Sequence, residues 1–456
     1  MSKTLSKDMT VGNPFKILLI FAIPVLAGNV FQQLYSMVDT IIVGKCIGTD
    51  ALAAVGATGS LNFLVNGFSI GITSGFAVLP AQFFGAKDER KLRQSVAQAI
   101  ILCTFFVVLL TTISVTFTHK VLVLMKTPED IIGQSEIYIK TIFFGICVTM
   151  LYNMCACVLR ALGDSKTPLY FLIVSSFMNI GLDLLFIVVF KWGVFGAAFA
   201  TVLSQGIAGI LCVIYAYKKY DILHLSKSDY AMNFVLIKNH LVIALPMAFQ
   251  FSITAIGTVV LQGALNTFGS EKIAAYTAGC KVEQLVTQIG PALGVTMASY
   301  SGQNLGAGRI DRIKSGVRSC TILAVSLAVL SAVALYFAGE SLSSLFITGE
   351  QSEVLEYSVL YINTIIVYFP ALFMIFVYRN VLQGIGKSLM PFLAGVFELI
   401  ARCVVSFTLP QRIGYKGVCI AGPVAWFAAM IPLCIAYYII INRMSKKITK
   451  NVEIPQ

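Results

Sequence analysis

The chain has 456 residues, of which 57% are hydrophobic and only 12% are charged, and its formal net charge is +12. A soluble domain has about 45–50% apolar and about 25% charged residues, so this chain has too few charges to cover a water-facing surface. The composition excludes an ordinary soluble enzyme, a disordered protein and a secreted domain. It predicts an integral membrane protein whose basic residues flank apolar segments rather than bind nucleic acid.

Twelve apolar runs follow one another along the chain, each long enough to span a bilayer as a helix. They cover residues 15–44, 51–80, 96–118, 138–159, 168–190, 194–216, 240–266, 273–300, 319–338, 353–378, 391–410 and 418–441. The first run, which begins at Phe15, is too long for the hydrophobic core of a cleavable signal peptide. The sequence therefore predicts an all-α membrane protein with twelve transmembrane helices.

The basic residues are unevenly distributed among the connecting segments. Of the 33 Lys and Arg residues, 23 lie at the two termini or in the connections that follow even-numbered runs, and 8 lie in the opposite connections. Since basic residues accumulate on the cytoplasmic side, both termini are expected to be cytoplasmic. The eleven cysteines have no spacing typical of a disulfide framework and are interpreted as small apolar residues.

Patterns of the first half of the chain return in the second half at an offset of 221–223 residues. The matched segments include 22–24 with 244–246, 48–54 with 269–275, 82–86 with 303–307, and Gly163 with Gly386. Each half holds six runs, so both halves enter the membrane from the same side. We expect two pseudo-twofold-related six-helix lobes, related by an axis along the membrane normal, with a binding site between them. This symmetry suits alternating access better than it suits a receptor or a channel.

The repeat and the composition also predict the domain limits. An N-lobe is expected at residues 1–217, a cytoplasmic linker at 218–239, a C-lobe at 240–441 and a basic cytoplasmic tail at 442–456. The linker is polar and basic, which is typical of a segment outside the bilayer.

Two aspartates inside apolar runs are candidates for function, because an acid within a membrane span is costly. Asp39 ends a stripe with Asn29, Gln32 and Ser36 whose spacing places all four on one helix face, and Asp183 follows Asn179 by one turn. Both aspartates lie about 9–12 Å below an outer basic residue, at 1.5 Å per residue. Equal depth suggests a shared proton or cation site. The alternative is that either aspartate caps a helix or pairs with a nearby lysine.

Other polar side chains also follow helical spacing. They are Asn62, Asn66, Ser69 and Thr73 in the second run, and Gln250, Thr254, Thr258 and Gln262 in the seventh. Such faces either line a cavity or join helices to one another. Glu398 and Arg402 are four residues apart in the eleventh run, and mutual neutralisation is the preferred interpretation.

Motifs for enzymatic or ATP-driven chemistry are not found in the sequence. The three histidines lie at the ends of runs or between them, no His, Cys or carboxylate cluster has metal-ligand spacing, and there is no phosphate-binding glycine loop. We therefore expect neither an enzyme nor a cofactor, and energy must come from an ion gradient.

Several strings, taken in order, resemble the MATE family of multidrug and toxic-compound extrusion transporters, and its DinF-like prokaryotic branch in particular. The strings are YSMVDTIIVG at 35–44, ALAAVG at 51–56, LRALGD at 159–164, NIGLD at 179–183, GAAFAT at 196–201 and GQNLGAG at 302–308. The likeness covers about residues 15–440. It implies the MATE or MOP-type fold with two six-helix lobes.

The resemblance also implies which residues couple an ion to transport. These are Asp39 and Asp183, with Asn179, Thr201 and Tyr138 as companions and Pro24 as the helix-bending proline. Other branches have an acid where this chain has Gln250, and an Asp in the tenth span that residues 353–378 lack. Coupling is therefore expected in the N-lobe alone, with H+ or Na+ as the ion and Na+ binding possible between Asp39 and Asp183.

The implied function is a secondary antiporter that exports lipophilic, cationic compounds from the cytoplasm by alternating access. The expected substrate-cavity residues are Gln32, Tyr35, Ser36, Asn62, Asn66, Tyr152, Gln250 and Gln284. We expect a monomer in the cell (plasma or inner) membrane, with drug-like small molecules and the lipid bilayer as its partners. The alternative is a flippase of lipid-linked oligosaccharides from the same superfamily.

Overall fold

The structure is a computed structural model that describes residues 8–347 and 352–452. Lys3, Lys7 and residues 453–456 of the predicted tail lie outside the described residues. The α-helices of the first half are α1 (Pro14–Cys46), α2 (Thr49–Ala57), α3 (Gly59–Phe76), α4 (Val78–Gly85), α5 (Glu89–Leu124), α6 (Glu129–Phe144), α7 (Ile146–Ala161), α8 (Lys166–Asp183) and α9 (Gly193–Lys219). A π-helix, Leu184–Val189, continues α8, and two 3₁₀ turns, Asp221–Leu223 and Lys227–Tyr230, follow α9.

The second half of the chain is also built mainly of long helices. Its α-helices are α10 (Phe234–Leu265), α11 (Ser270–Thr287), α12 (Ile289–Gly306), α13 (Ile310–Ser344), α14 (Ser352–Ile365), α15 (Phe369–Gly384), α16 (Leu389–Ile413) and α17 (Tyr415–Val452). Two 3₁₀ turns, Asn266–Phe268 and Ile366–Tyr368, join α10 to α11 and α14 to α15. The described part of the chain contains no strand, as expected of an all-α protein.

Within the described residues, ten helical segments are long and apolar enough to cross a membrane. The pair α6 and α7, bent by 45°, makes an eleventh if it is one span. The remaining predicted run, 273–300, folds as α11 and α12. Four charged residues in α11 make it more polar than the other helices; they are Glu271, Lys272, Lys281 and Glu283.

The described chain separates into two compact units. Unit 1 holds Asp8 and residues 27–251, and unit 2 holds residues 9–26 and the described residues from Ser252 onward. Helix α1 runs without interruption through Pro24 and contributes its first part to unit 2 and the rest to unit 1. Helix α10 is also continuous, with Pro246 inside it, and contributes its first part to unit 1. The predicted lobe limits and the bend at Pro24 stay predictions.

The sequence repeat has a counterpart in the backbone of the turns. Gly163 and Gly386, which the repeat pairs, both have a left-handed backbone, with φ of 86° and 77°. Residues with a Cβ adopt this conformation only at a cost, so each turn favours glycine. The matched turns of the two halves therefore share one unusual conformation.

A stripe of glycines on α3 allows close helix packing within unit 1. Gly67, Gly71 and Gly75 are spaced four residues apart, and a Cβ added at Gly71 or Gly75 would meet Ala248 or Ala244 of α10 closer than van der Waals contact. Small residues at this spacing let two membrane helices bring their backbones together. The contact fixes α3 against α10.

The segment before α1 is held by the end of α12 and the start of α13, both in unit 2. Met9 is fully buried, its N–H donates to Gln303 Oε1 at 2.9 Å, and its carbonyl accepts from Asn304 at 3.3 Å and from Arg312 at 3.1 Å. Arg312 also donates to the carbonyl of Gly12 at 2.9 Å. The GQNLGAG string therefore anchors the residues that lead into the first helix.

Asp164, the acid of the LRALGD string, organises the turn between α7 and α8. Its carboxylate accepts hydrogen bonds from Thr167 Oγ1 at 2.6 Å, from Lys219 Nζ at 3.1 Å and from the Tyr220 hydroxyl at 2.5 Å. Burial alone would raise the pKa of Asp164, but the hydrogen bonds from Thr167, Tyr220 and Lys219 outweigh burial and hold that pKa below its ordinary value. The ionised carboxylate therefore ties the end of α9 to this turn.

Candidate functional site

The two intramembrane aspartates of the first half meet in unit 1. Asp39 lies on α1, Asp183 is the last residue of α8, and their carboxyl groups are hydrogen-bonded to each other. Asp183 is fully buried and Asp39 is half-buried. Two carboxyl groups in contact cannot both stay ionised unless a proton or another cation compensates one of the charges. The pair is therefore a candidate site for a single positive charge.

The backbone around this pair departs from α-helical geometry. The π-helix begins at Leu184, directly after Asp183. Wide turns of this type occur mostly as short insertions in α-helices and are frequent at functional sites. One oxygen of Asp39, Oδ1, is buried and has no hydrogen-bond partner among the described residues.

The companions implied by the resemblance surround the carboxyl pair. Asn179 Nδ2 donates to Thr201 Oγ1 at 3.4 Å, and both side chains lie on helices that follow one another, α8 and α9. Tyr138 of α6 is buried and lies within electrostatic range of Asp39 and Asp183. The structure thus brings all five proposed coupling residues into one region of unit 1.

Two further side chains join this region. Tyr35, one turn before Asp39 on α1, is hydrogen-bonded to Thr201 and to Gln205, and Gln205 accepts from Thr149 at 2.7 Å. Tyr35, which the sequence predicts for the substrate cavity, thus lies beside Thr201, one of the residues predicted to couple the ion. Gln205 was not predicted, although it is a polar residue four positions after Thr201 in an apolar run.

The other proposed cavity residues are in varied surroundings. Asn66 donates to Asn62, and the Tyr152 hydroxyl donates to the carbonyl of Pro168 at 2.9 Å. Gln250 is buried in unit 1. Three are exposed; they are Gln32 and Ser36 of α1 and Gln284 of α11. Asn62, Asn66 and Tyr152 thus make hydrogen bonds within the protein.

The ion pair between Glu398 and Arg402, expected in the eleventh run, is present, and a second arginine joins it. Arg402 donates to Glu398 Oε1 at 3.0 Å, and Arg379 of α15 donates to Glu398 Oε2 at 3.1 Å. Glu283 of α11 is a further acid that the sequence analysis missed; it accepts from the Tyr361 hydroxyl at 2.5 Å. The sequence does mark Glu283 as a candidate, since it is an acid within the apolar run 273–300.

No group of three or more His, Cys, Asp or Glu side chains suited to a metal ion occurs in the part of the chain that the structure describes. The donors around the carboxyl pair are carboxylate, amide and hydroxyl oxygens, which suit a hard monovalent cation better than a transition metal. Residues Asp39, Asp183, Asn179, Thr201 and Tyr138 are the ones that could hold such an ion.

Similar proteins have names and folds that agree with this architecture. The chain is 29% identical over 450 residues, 95% of each chain, to the probable multidrug resistance protein YoeA of Bacillus subtilis. It is 29% identical over 423 residues to the probable multidrug resistance protein YpnP of the same organism, covering 90% of this chain and 92% of YpnP. A solved outward-facing multidrug resistance MATE transporter of the MOP superfamily matches with a TM-score of 0.92 at 20% identity, covering 97% of this chain and 99% of that one.

The structural match confirms the predicted all-α membrane fold with twelve helices in two lobes. The members of the matched family are transporters rather than enzymes. The sequence profile of the MatE family matches residues 24–185 and 243–408, well over half of the chain. The chain therefore belongs to the MatE family of multidrug and toxic-compound extrusion transporters.

Proposed function

We propose that this transporter exports lipophilic, cationic drug-like compounds in exchange for H+ or Na+, which binds at the Asp39–Asp183 pair. The observation that carries the proposal is the contact between these two carboxyl groups inside unit 1. The two Bacillus relatives are named probable multidrug resistance proteins, which supports drug-like compounds as the solutes.

The chemistry of the pair supports a coupling role. When the pair holds a proton or Na+, its net charge falls by one, and the hydrogen bonds that it makes must change. Asp39 lies on α1, one turn after Tyr35, which is bonded to Thr201 and Gln205 of α9. Ion binding at Asp39 therefore changes the contact between α1 and α9. We propose that this rearrangement of α1 lowers the affinity for a cationic substrate and releases it outside.

The surroundings of the pair are compatible with either ion. A proton needs only the two carboxyl groups, whereas Na+ needs several oxygen ligands, which Asn179, Thr201 and the buried Oδ1 of Asp39 can add. One elementary charge that moves down 100 mV supplies about 2.3 kcal/mol, which corresponds to almost a fiftyfold concentration ratio. One or two ions per cycle therefore suffice for useful export.

The remaining parts of the proposal concern the setting of transport. The distribution of Lys and Arg supports cytoplasmic termini in a cell-membrane protein. We propose that the chain works as a monomer without an organic cofactor, by alternating exposure of one site to the two sides of the membrane.

The test is dye efflux from proteoliposomes, with an inward pH gradient or an inward Na+ gradient imposed in turn. Asp39→Asn and Asp183→Asn are expected to abolish gradient-driven efflux, because an amide cannot take up a proton or replace a carboxylate charge. Asp50→Asn is the matched control, since Asp50 is an exposed acid at the start of α2 in the same unit.

The gradient that drives the wild type identifies the ion. Near-normal gradient-driven efflux by both substituted proteins, at normal expression, would disprove coupling at the pair. Movement of a labelled lipid-linked sugar without any dye efflux would instead support the flippase alternative.

A further inference from the structure

The helices of the two halves match one another at a constant spacing along the chain. Helices α14, α15 and α16 begin 223 residues after α6, α7 and α8 respectively. The same offset relates Gly163 to Gly386, which share a left-handed backbone. Helix α10 follows α1 at an offset of 222, which relates Pro24 to Pro246. The residues around the carboxyl pair of unit 1 therefore have identifiable counterparts in unit 2.

The counterparts of the carboxyl pair are not acids. Leu261 of α10 corresponds to Asp39, and Ser406 of α16 corresponds to Asp183. Both residues are buried in unit 2, with exposures of 7% and 2%. Unit 2 therefore does not repeat, at these two positions, the carboxyl groups that make unit 1 a candidate for binding an external cation.

A fixed positive charge is found at a third counterpart. Arg402 of α16 corresponds to Asn179, and Gly257 of α10 corresponds to Tyr35. A Cβ at Gly257 would lie 3.3 Å from Arg402 Nη1 and 3.4 Å from Arg402 Cδ, so the arginine packs closely against this glycine. Because position 257 has no side chain, the guanidinium can lie against α10 where unit 1 has a tyrosine ring on α1.

Two acids and two arginines balance one another around this position. Arg402 donates to one oxygen of Glu398 at 3.0 Å, and Arg379 donates to the other oxygen at 3.1 Å. Glu283 of α11 lies within electrostatic range of Arg402 and accepts from the Tyr361 hydroxyl at 2.5 Å. The four charges sum to zero, so this cluster needs no ion from solution.

A matched pair of tyrosines connects this cluster with the carboxyl pair of unit 1. Tyr361 of α14 corresponds to Tyr138 of α6, and both side chains are buried. Tyr138 lies within electrostatic range of the carboxyl pair, and Tyr361 is hydrogen-bonded to Glu283. The matched tyrosine therefore lies near an acid in each unit. In unit 1 the compensating charge must come from solution, whereas in unit 2 Arg402 supplies it.

We propose that Arg402 is a resident cation, which takes in unit 2 the place of the ion that unit 1 exchanges and so restricts ion exchange to unit 1. This inference rests on the proposed function and deepens it, because it assigns the residue that limits the number of coupling sites. A guanidinium keeps its proton in proteins, so Glu283 stays compensated throughout the transport cycle.

Replacement of Arg402 by glutamine should give unit 2 a requirement for an ion. Glu398 keeps Arg379 as its counter-charge, whereas Glu283 keeps only the hydrogen bond from Tyr361. A carboxylate that loses its counter-charge inside the protein is costly, so Glu283 should take up H+ or Na+. The melting temperature of Arg402→Gln should therefore fall more steeply with rising pH than that of the wild type, and Na+ should restore it at high pH.

The transport assay measures how many ions are exchanged for each molecule of the cationic dye ethidium. Proteoliposomes are held at zero membrane potential with an inward gradient of the coupling ion of about tenfold, and the limiting ratio of external to internal dye is recorded. Each additional ion exchanged per dye molecule multiplies that ratio by about ten under these conditions. Arg402→Gln should therefore reach a limiting ratio about tenfold above that of the wild type.

Three variants separate ion exchange from a structural role. Arg402→Lys keeps the positive charge and should keep the wild-type ratio. The double variant Glu283→Gln with Arg402→Gln removes the acid together with its counter-charge, and it should keep the wild-type ratio and lose the added pH dependence. Arg412→Gln, which changes an exposed arginine at the end of α16, should alter neither measurement. A merely structural defect in Arg402→Gln would slow efflux without raising the limiting ratio.

A wild-type limiting ratio in Arg402→Gln would overturn the assignment of Arg402 as a resident cation. An added pH or Na+ dependence of melting that persists in the double variant would overturn it as well. If neither gradient drives dye export by the wild type, the proposed function fails, and the comparison of melting between Arg402→Gln and the double variant decides the assignment by itself.

Discussion

Replacement of Gly71 by alanine should loosen the contact between α3 and α10. The added Cβ would lie 2.5 Å from Ala248 Cα, 2.7 Å from its nitrogen and 2.8 Å from the carbonyl oxygen of Met247. Carbon atoms in contact are normally about 3.5–4.0 Å apart, so the two helices must separate by about 1 Å. All three neighbours are backbone atoms, and none can rotate away.

The cost follows from this geometry. Overpacking of this kind typically destabilises by about 1–3 kcal/mol. Alanine has a higher helix propensity than glycine, which offsets up to about 1 kcal/mol of this cost. With the cost of overpacking near the middle of its range, about 2 kcal/mol, the net change in the free energy of unfolding should be a loss of about 1 kcal/mol. Gly133→Ala in α6 is the matched control, because a Cβ there meets no described atom within 4 Å, and alanine should stabilise.

The chain's own cysteines provide the assay. Five of the eleven are buried, including Cys103 and Cys212, so a fluorogenic thiol reagent reports unfolding in detergent as the temperature rises. Gly71→Ala should react at a lower temperature than the wild type, and Gly133→Ala at the same or a higher one. If Gly71→Ala melts with the wild type or above it, the close approach of α3 and α10 is refuted.

Two further substitutions test contacts made near the helix ends. Asp164→Asn should cost about 1.5–3 kcal/mol at neutral pH, because charged hydrogen bonds are lost. Folding lowers the pKa of the Asp164 carboxyl from 3.8, so its stabilising effect is complete above that value and is lost below it, and the melting curves of wild type and variant should converge in acid. Asp130→Asn, which changes an exposed acid, should show no such difference. Arg312→Ala removes the donor to the Met9 and Gly12 carbonyls, so amide hydrogen exchange in residues 9–13 should accelerate, and unchanged exchange would contradict the anchoring described for this segment.

Length and apolarity were sufficient to predict most of the helices, because a membrane helix satisfies its backbone within one continuous segment. The run 273–300 shows where this reasoning weakens. It folds as α11 and α12, and four charges in α11 make it more polar than a typical span. A helix shielded by protein tolerates such charges, and no pattern within one segment reveals that shielding.

The meeting of Asp39 and Asp183 could be anticipated because both residues are acids at equal depth in one half of the repeat. The partners of those residues were harder to predict. Gln205 bonds to Tyr35 through a contact between helices that are far apart in sequence, and Arg379 pairs with Glu398 on the next helix along the chain. Spacing along one helix predicts which side chains share a face, but it does not predict which neighbouring helix that face meets.

Helix α1 is continuous, and its first residues belong to unit 2 while its later residues belong to unit 1. A chain severed within residues 218–239 would therefore yield two fragments, neither of which contains a whole unit. The first fragment would keep residues 9–26, which unit 2 requires, and the second would keep residues 240–251, which unit 1 requires. Each half of the sequence thus supplies a piece of the unit that the other half mainly forms, so each unit is built from both halves.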